Sequence, residues 1–425
     1  MAGADSSRPA CAPAVGGRIE PVAARHPRGA AEGDCVRTTD FRGAGISCVR
    51  PAGETLPAVP DRDSTGDVGG AERVFLSAVS VVRRLVLTLV FLAGCTNSPE
   101  PARPAPELAG ALTWWNSPPR RLAELRGRVV LLDFFEYSCA NCLRTFPYVK
   151  EWQQRYAGRG LVIIGVHAPQ YGFSMDPKNV QLAVRRLGLT YPVAVDSDLR
   201  IAGAYENRYW PRKILIDRTG CIRLDQVGEG GYAEIEQTIQ RLLREAGDRG
   251  KFPPPMKPVR ATDVPGAVCY PATPELFLGH ARGKLLPAGD TADGVYAVGE
   301  WTQQSEYLRH SRDAEEMRDY VAVRYRATEV NAVMRQELVY WLQVFVQQDG
   351  AWLRRDIAGA DVRYDEAGRS YLKVDSARLY QVIGRQPYGV HELRFYVAGK
   401  GLSVYAFSFG TAVMPSHTPT LKAAG

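Results

Sequence analysis

Residues 129–135 read Val-Val-Leu-Leu-Asp-Phe-Phe, an apolar run broken by a single acid. From 139 onward the apolar positions spread to every third or fourth residue, with Phe146, Val149, Trp152 and Tyr156 on one stripe. A short continuous apolar run predicts a strand buried on both faces, and the wider spacing predicts an amphipathic helix over 139–156. The alternation continues with a strand at 161–166, a helix at 179–187, a short strand at 191–195 and a helical turn at 200–205. Residues 213–217 and 221–227 flank the turn Arg218-Thr219-Gly220 and predict a hairpin, followed by an amphipathic helix over 232–245. Strands alternating with helices and closing on a hairpin predict an α/β domain over 114–247, its mixed central sheet flanked by helices.

The pattern then changes. Residues 248–274, with Pro253-Pro254-Pro255, predict a linker, and beyond them strand signals dominate. Residues 320–325 alternate Val321, Val323 and Tyr325, and 338–346 and 351–355 flank the turn Asp349-Gly350. Residues 393–397 are expected to pair with 402–409 across Gly399-Lys400-Gly401. This predicts a β-sandwich over 275–413 and a tail over 414–425. At the other end, 1–73 carry no sustained pattern and read as disorder or as an upstream extension of the true protein. Residues 74–95 have a secretory layout, with Arg83 and Arg84 before the apolar run 85–93. That run is too short for a membrane span, which needs about 20 residues.

Composition adds limits. With 425 residues and 45% hydrophobic content the chain can bury two ordinary cores. The net charge of +7 is modest, and no basic run interleaves with aromatics, so nucleic acid is not an expected partner. Of eight cysteines, only Cys139 and Cys142 sit at a spacing with a mechanism attached. At a helix start, unpaired backbone N–H groups and the positive dipole end favour thiolate over thiol, which makes Cys139 the nucleophile. Cys142, one turn further in, is placed to resolve a mixed disulfide formed at Cys139. Cys221 and Cys269 read as isolated, inert residues, with pairing to each other in an oxidising compartment as the alternative. No metal site and no cofactor beyond the Cys139–Cys142 disulfide are expected.

Several stretches resemble known families. Leu92-Ala93-Gly94-Cys95 looks like a bacterial lipobox, which implies cleavage before Cys95, a lipid on that residue and a Pro-rich tether over 96–113. A signal normally opens a chain, so translation starting near Val68 or Val74 is expected. The redox pair, the acid Asp133 six residues before it and Trp210-Pro211 resemble the thioredoxin superfamily and its membrane-anchored TlpA/ResA-like branch. More narrowly, DFFEYSCANCLRTFPYVKEW, VIIGVHAPQY, ENRYWPRKILIDRTG and VGEGGY are similar to the extracytoplasmic thioredoxin-like half of DipZ-type cytochrome c biogenesis proteins. The resemblance implies a thioredoxin-like fold over 114–247 and a carbohydrate-binding-like jelly roll in the sandwich, where Trp301, Trp341 and Trp352 could stack on sugars. It also implies a buried carboxyl at Asp133 that takes or gives the proton of resolution through water. At Trp210 it implies backbone that pairs with an incoming strand before a cis Pro211. Glu136, Tyr137 and His167 are further candidates for the substrate rim.

The expected function is a lipid-anchored thiol-disulfide oxidoreductase on the periplasmic side of a bacterial membrane. It would reduce disulfides of extracytoplasmic proteins, with cytochrome c maturation as one setting and a CcdA/DsbD-like membrane thiol carrier as electron donor. Without histidine between the cysteines, a reducing poise is expected. A thiol peroxidase is a rival, but its Thr and Pro positions before the peroxidatic cysteine hold Glu136 and Leu132 here. A second rival makes the sandwich a glycan- or partner-binding module with the redox fold as scaffold.

Overall fold

The computed structural model describes residues 103–337 and 341–415. The signal, lipobox, Cys95, residues 96–102 of the expected tether and most of the tail lie outside them. In the first domain six strands form one sheet: β1 (Thr113–Trp115), β2 (Val129–Phe135), β3 (Leu161–His167), β4 (Val193–Val195), β5 (Arg212–Ile216) and β6 (Ile222–Val227). Their order is β1-β4-β3-β2-β5-β6. β2 runs parallel to β3 and antiparallel to β5, so the sheet is mixed. Every residue of β2 is buried, as its unbroken apolar run requires. The helices are α1 (Ala140–Tyr156), α2 (Pro177–Arg186), α3 (Arg200–Ala204) and α4 (Tyr232–Glu245). Asp176 caps α2 by accepting the Lys178 N–H, and Pro177 occupies the first turn, where its missing N–H costs nothing. β1, antiparallel to β4, is an edge strand too short to leave a periodic signal.

The second domain is a sandwich. One sheet has the order β15-β16-β13-β18-β11-β8, with β14 on β13. Its strands are β8 (Gly294–Val298), β11 (Tyr320–Ala327), β13 (Leu342–Gln348), β14 (Ala351–Trp352), β15 (Val362–Tyr364), β16 (Ser370–Val374) and β18 (Gly389–Val397). The other has the order β17-β12-β19-β10-β9, with β7 on β19. It contains β7 (Leu276–Phe277), β9 (Trp301–Gln303), β10 (Leu308–His310), β12 (Glu329–Gln336), β17 (Arg378–Ile383) and β19 (Leu402–Gly410). Val321, Val323, Val344, Val346 and Phe395 from the first sheet meet Ala332, Met334, Val404 and Phe407 from the second in one core.

Two expectations are corrected. β18 and β19 do not pair: β18 lies between β11 and β13, and β19 pairs with β12, β10 and β7. The Phe395 and Phe407 rings meet 5.1 Å apart across the core, so these strands stack face to face. Alternating strands joined by a glycine-rich link look the same in sequence whether they form a hairpin or cross between sheets. The Pro-rich stretch is no free linker either. Phe252 is buried beneath the guanidinium groups of Arg159 and Arg244, the Met256 N–H donates to Glu236 at 2.7 Å, and the Val259 N–H donates to the Tyr148 hydroxyl at 2.6 Å. Buried Glu236 also accepts from Trp152, Arg155 and Tyr156, so this stretch is strapped to the first domain through α1 and α4.

The domains share apolar surface. Val333, Leu379, Tyr405 and Ala406 of the sandwich join the core cluster that holds Phe146, Trp152 and Cys142. Tyr405 packs edge-on against Tyr171 and Phe173, the Gly172 N–H donates to Glu306 at 2.9 Å, and Arg144 on α1 pairs with Glu329 on β12 at 3.3 Å.

Candidate active site

β2 delivers the chain to the start of α1, where Cys139 is the N-cap. Its sulfur accepts the Cys142 N–H at 3.3 Å and its own N–H donates to the Glu136 carbonyl at 3.2 Å. An N–H aimed at sulfur is the contact a thiolate takes, and it is supplied here by backbone that the helix itself leaves unpaired. Cys139 is partly exposed, whereas Cys142 is sealed; both are free thiols. Burial, then a hydrogen bond to Cys139, push the Cys142 thiol well above its ordinary range, and the charge of Asp133 adds to this. The outer sulfur is therefore open to an incoming disulfide, and the inner one holds its proton until a base removes it.

Asp133 is fully buried on β2. Its Oδ1 lies 3.1 Å from Lys213 Nζ, itself 1% exposed, and its Oδ2 has no protein partner among the described residues. Lys213 was not anticipated. The signal was a lysine inside Arg-Lys-Ile-Leu-Ile, since a charge in a strand buried throughout needs a buried counter-charge. Register supplies it: Asp133 stands directly opposite Lys213 across β2 and β5. The hydroxyl of fully buried Tyr191, also without a protein hydrogen-bond partner among the described residues, feels both Asp133 and Cys142.

The Trp210–Pro211 peptide is cis, and the Pro211 carbonyl accepts the Gly228 N–H at 2.8 Å. Trp210 is half-buried and packs on the apolar clusters of both sheet faces. Glu136, Tyr137 and His167 lie beneath the site and not on its rim, at 0%, 2% and 0% exposure. Glu136 accepts the Ser138 N–H at 2.7 Å and the Ser138 hydroxyl at 2.5 Å, which fixes the turn that presents Cys139. Its other oxygen lies 3.8 Å from His167 Nε2, and the Tyr137 ring stacks on His167. Nearness in sequence to the cysteines suggested contact with substrate; the sandwich, through Tyr405 against Phe173 and Phe173 against Tyr137, covers that side. Cys221 is disulfide-bonded and not an isolated thiol, whereas Cys269 is free, so the two do not pair with each other.

A mixed sheet whose central strand leads into Cys-x-x-Cys at a helix start, with a buried acid on that strand and a cis-proline entering the adjacent one, defines a thioredoxin-type redox domain. Residues 107–239 match the redoxin family model and residues 273–410 the thioredoxin-like C-terminal domain model. The chain is 41% identical to protein DipZ of Mycobacterium tuberculosis over 198 residues, 46% of this chain and 28% of that protein. It is 32% identical to the thiol-disulfide oxidoreductase YkuV of Bacillus subtilis over 143 residues, 34% of this chain and 96% of the relative. It is 30% identical to the thiol-disulfide oxidoreductase ResA of Geobacillus thermodenitrificans over 123 residues, 29% of this chain and 67% of the relative. The chain belongs to the TlpA/ResA-like group of the thioredoxin superfamily, and it spans under a third of the length of the DipZ proteins it matches.

Proposed function

We propose that the protein is an extracytoplasmic thiol-disulfide oxidoreductase that reduces disulfides in client proteins, cytochrome c precursors among them. In this reading, lipid on Cys95 holds it to the membrane, and a membrane thiol carrier of the CcdA/DsbD kind supplies its electrons. The carrying observation is the unequal pair: Cys139 open at the N-cap, with the Cys142 N–H on its sulfur, and Cys142 sealed behind it.

The cycle balances as follows. The Cys139 thiolate attacks one sulfur of a client disulfide, the client S–S bond breaks, and the first client sulfur leaves as a thiolate that takes up a proton. Cys142 then gives its proton to Asp133, directly or through water, and attacks Cys139 Sγ. The mixed disulfide breaks, the Cys139–Cys142 disulfide forms, and the second client sulfur leaves as a thiolate that takes the proton from Asp133. The client gains two electrons and the enzyme loses two, which the membrane donor returns.

Insulin reduction tests the reading. Wild type should precipitate the insulin B chain under a dithiol donor, and Cys139→Ser should lose the activity; full activity in that variant would remove the proposal. Titrating the couple against glutathione tests the direction, with a potential near roughly −270 mV marking a reductant and one near −120 mV an oxidant. Radiolabelled palmitate entering wild type but not Cys95→Ala in a bacterial host would support the anchor, and equal labelling of both would reject it.

A further inference from the structure

A cleft of about 690 Å³ runs between the redox domain, the strap and the sandwich, within the size range of ligand-binding clefts, roughly 300–1,000 Å³. Its redox wall includes Asn141, which lies between the two active cysteines, and Glu229-Gly230, next to the Gly228 that bonds Pro211. A smaller recess of about 170 Å³ begins at Ala140, the residue after the nucleophile, and is closed on the sandwich side by Asn331 and Leu379. The two recesses share Arg144 and Glu329, so together they lead from beside Cys139 along the domain junction.

Charge narrows the occupant. Arg144 is held by Glu229 and Glu329, and Arg260 by Glu229 and Asp263. Arg385 also lines the cleft, is exposed, and makes no ion pair among the described residues. Any client captured on Cys139 extends away from that sulfur, and a walled path that starts one residue along suits a chain better than a compact molecule.

We propose that the sandwich supplies the second wall of the client site: the polypeptide flanking the client cysteine lies in this cleft, and a client carboxylate pairs with Arg385. The proposal rests on the oxidoreductase reading and names its substrate class, a protein disulfide with an acidic flank. The sandwich is then a selector of clients.

The test uses the full chain and three substrates: 2-hydroxyethyl disulfide, which is small and neutral, and two disulfide-linked peptides that differ only in Glu or Lys flanks. Wild type should prefer the acidic over the basic peptide by about fivefold in kcat/KM, a preference that fades in high salt. In Arg385→Glu the order of the two peptides should reverse. Because both are read against the small disulfide, a general loss of folding or chemistry cancels from the comparison. Equal peptide rates in wild type, or an order unmoved by Arg385→Glu, would overturn the cleft proposal while leaving the chemistry standing. Failure to reduce any of the three would bring down both.

Discussion

Each domain buries an aspartate against cations, and the two are finished differently. In the sandwich, Asp319 is saturated. Arg312 donates to both of its oxygens at 2.9 Å, His310 Nε2 lies 2.9 Å from Oδ2, and the Glu300 N–H adds a bond at 3.3 Å. In the redox domain, Asp133 has Lys213 on one oxygen and, among the described residues, no protein group on the other, although it is equally hidden. A buried polar atom that no protein group satisfies costs stability. That oxygen belongs to the carboxylate whose charge is felt at Cys142. A saturated carboxylate holds parts together, and a half-satisfied one beside a reactive group keeps a lone pair free for a proton.

The sharpest way to break this contrast is to remove the charge from each aspartate in turn. Asp133→Asn should slow resolution of a peptide mixed disulfide by roughly 10²-fold, the low end of general-base effects. The variant leaves Lys213 buried without its partner, so it should also lose stability. The double variant Asp133→Asn/Lys213→Met should recover that stability without recovering the rate, which separates a proton-handling role from a structural one. Rapid-quench trapping of the mixed disulfide, with urea unfolding of the same samples, reads both. If the double variant resolves as fast as wild type, the contrast collapses.

The pH profile sharpens the same point. Burial keeps the Cys142 proton in place well above the ordinary thiol range, so the resolving thiolate is scarce at neutral pH. Without a carboxylate to take the proton, resolution should follow hydroxide, rising about tenfold per pH unit between 6 and 9. A base role for Asp133 predicts a shallower rise in wild type. Identical slopes in wild type and Asp133→Asn would show that the half-satisfied carboxylate handles no proton.

Asp319→Asn should behave in the opposite way, costing roughly 2 kcal/mol of stability, since the 47% exposed Arg312 side chain is not left as a buried unpaired charge, and leaving turnover with 2-hydroxyethyl disulfide unchanged. Arg312, with His310 and the Glu300 N–H, holds the Asp319 carboxyl well below its ordinary range. A carboxyl depressed by folding contributes stability above its unfolded pKa of about 3.9, and that contribution is lost as pH falls through this value toward the folded one. Urea midpoints of wild type and variant should therefore differ at pH 7, begin to close below about pH 4 and keep closing as pH falls toward the folded value. A difference that does not shrink at all between pH 5 and pH 2 would assign the loss to packing and not to charge.

Much of the redox domain was legible in the sequence, because its signals are local: an apolar run sets β2, a helical stripe sets α1, and two cysteines one turn apart mark their junction. Lys213 was not legible, since its partner lies 80 residues away and only the β2–β5 register brings them together. The burial of Glu136, Tyr137 and His167 depends partly on Tyr405, a residue of another domain. In the sandwich, β18 and β19 carried correct strand signals, but alternation says which face is buried and not which strand lies alongside. The information that separates them is the hub around Asp319.

That hub also sits at the corner where the chain changes sheets. The Gly399 carbonyl lies 3.0 Å from His310 Nδ1, so the imidazole that meets Asp319 on one side meets the crossing on the other. Gly401 closes the corner with φ of 94°, donating its N–H to the His310 carbonyl and accepting the Glu337 N–H. A side chain there is forced into left-handed backbone, so Gly401→Ala should cost about 1–2 kcal/mol, the smallest of these effects, with disulfide turnover unchanged. Asp319 and Gly401 are linked through one residue, His310, whose ring meets Asp319 and whose carbonyl accepts the Gly401 N–H, so the double variant Asp319→Asn/Gly401→Ala should lose less stability than the two single losses combined. Strict additivity in urea unfolding would mean that the saturated carboxylate does not support the crossing, and its contrast with Asp133 would then rest on Asp133 alone.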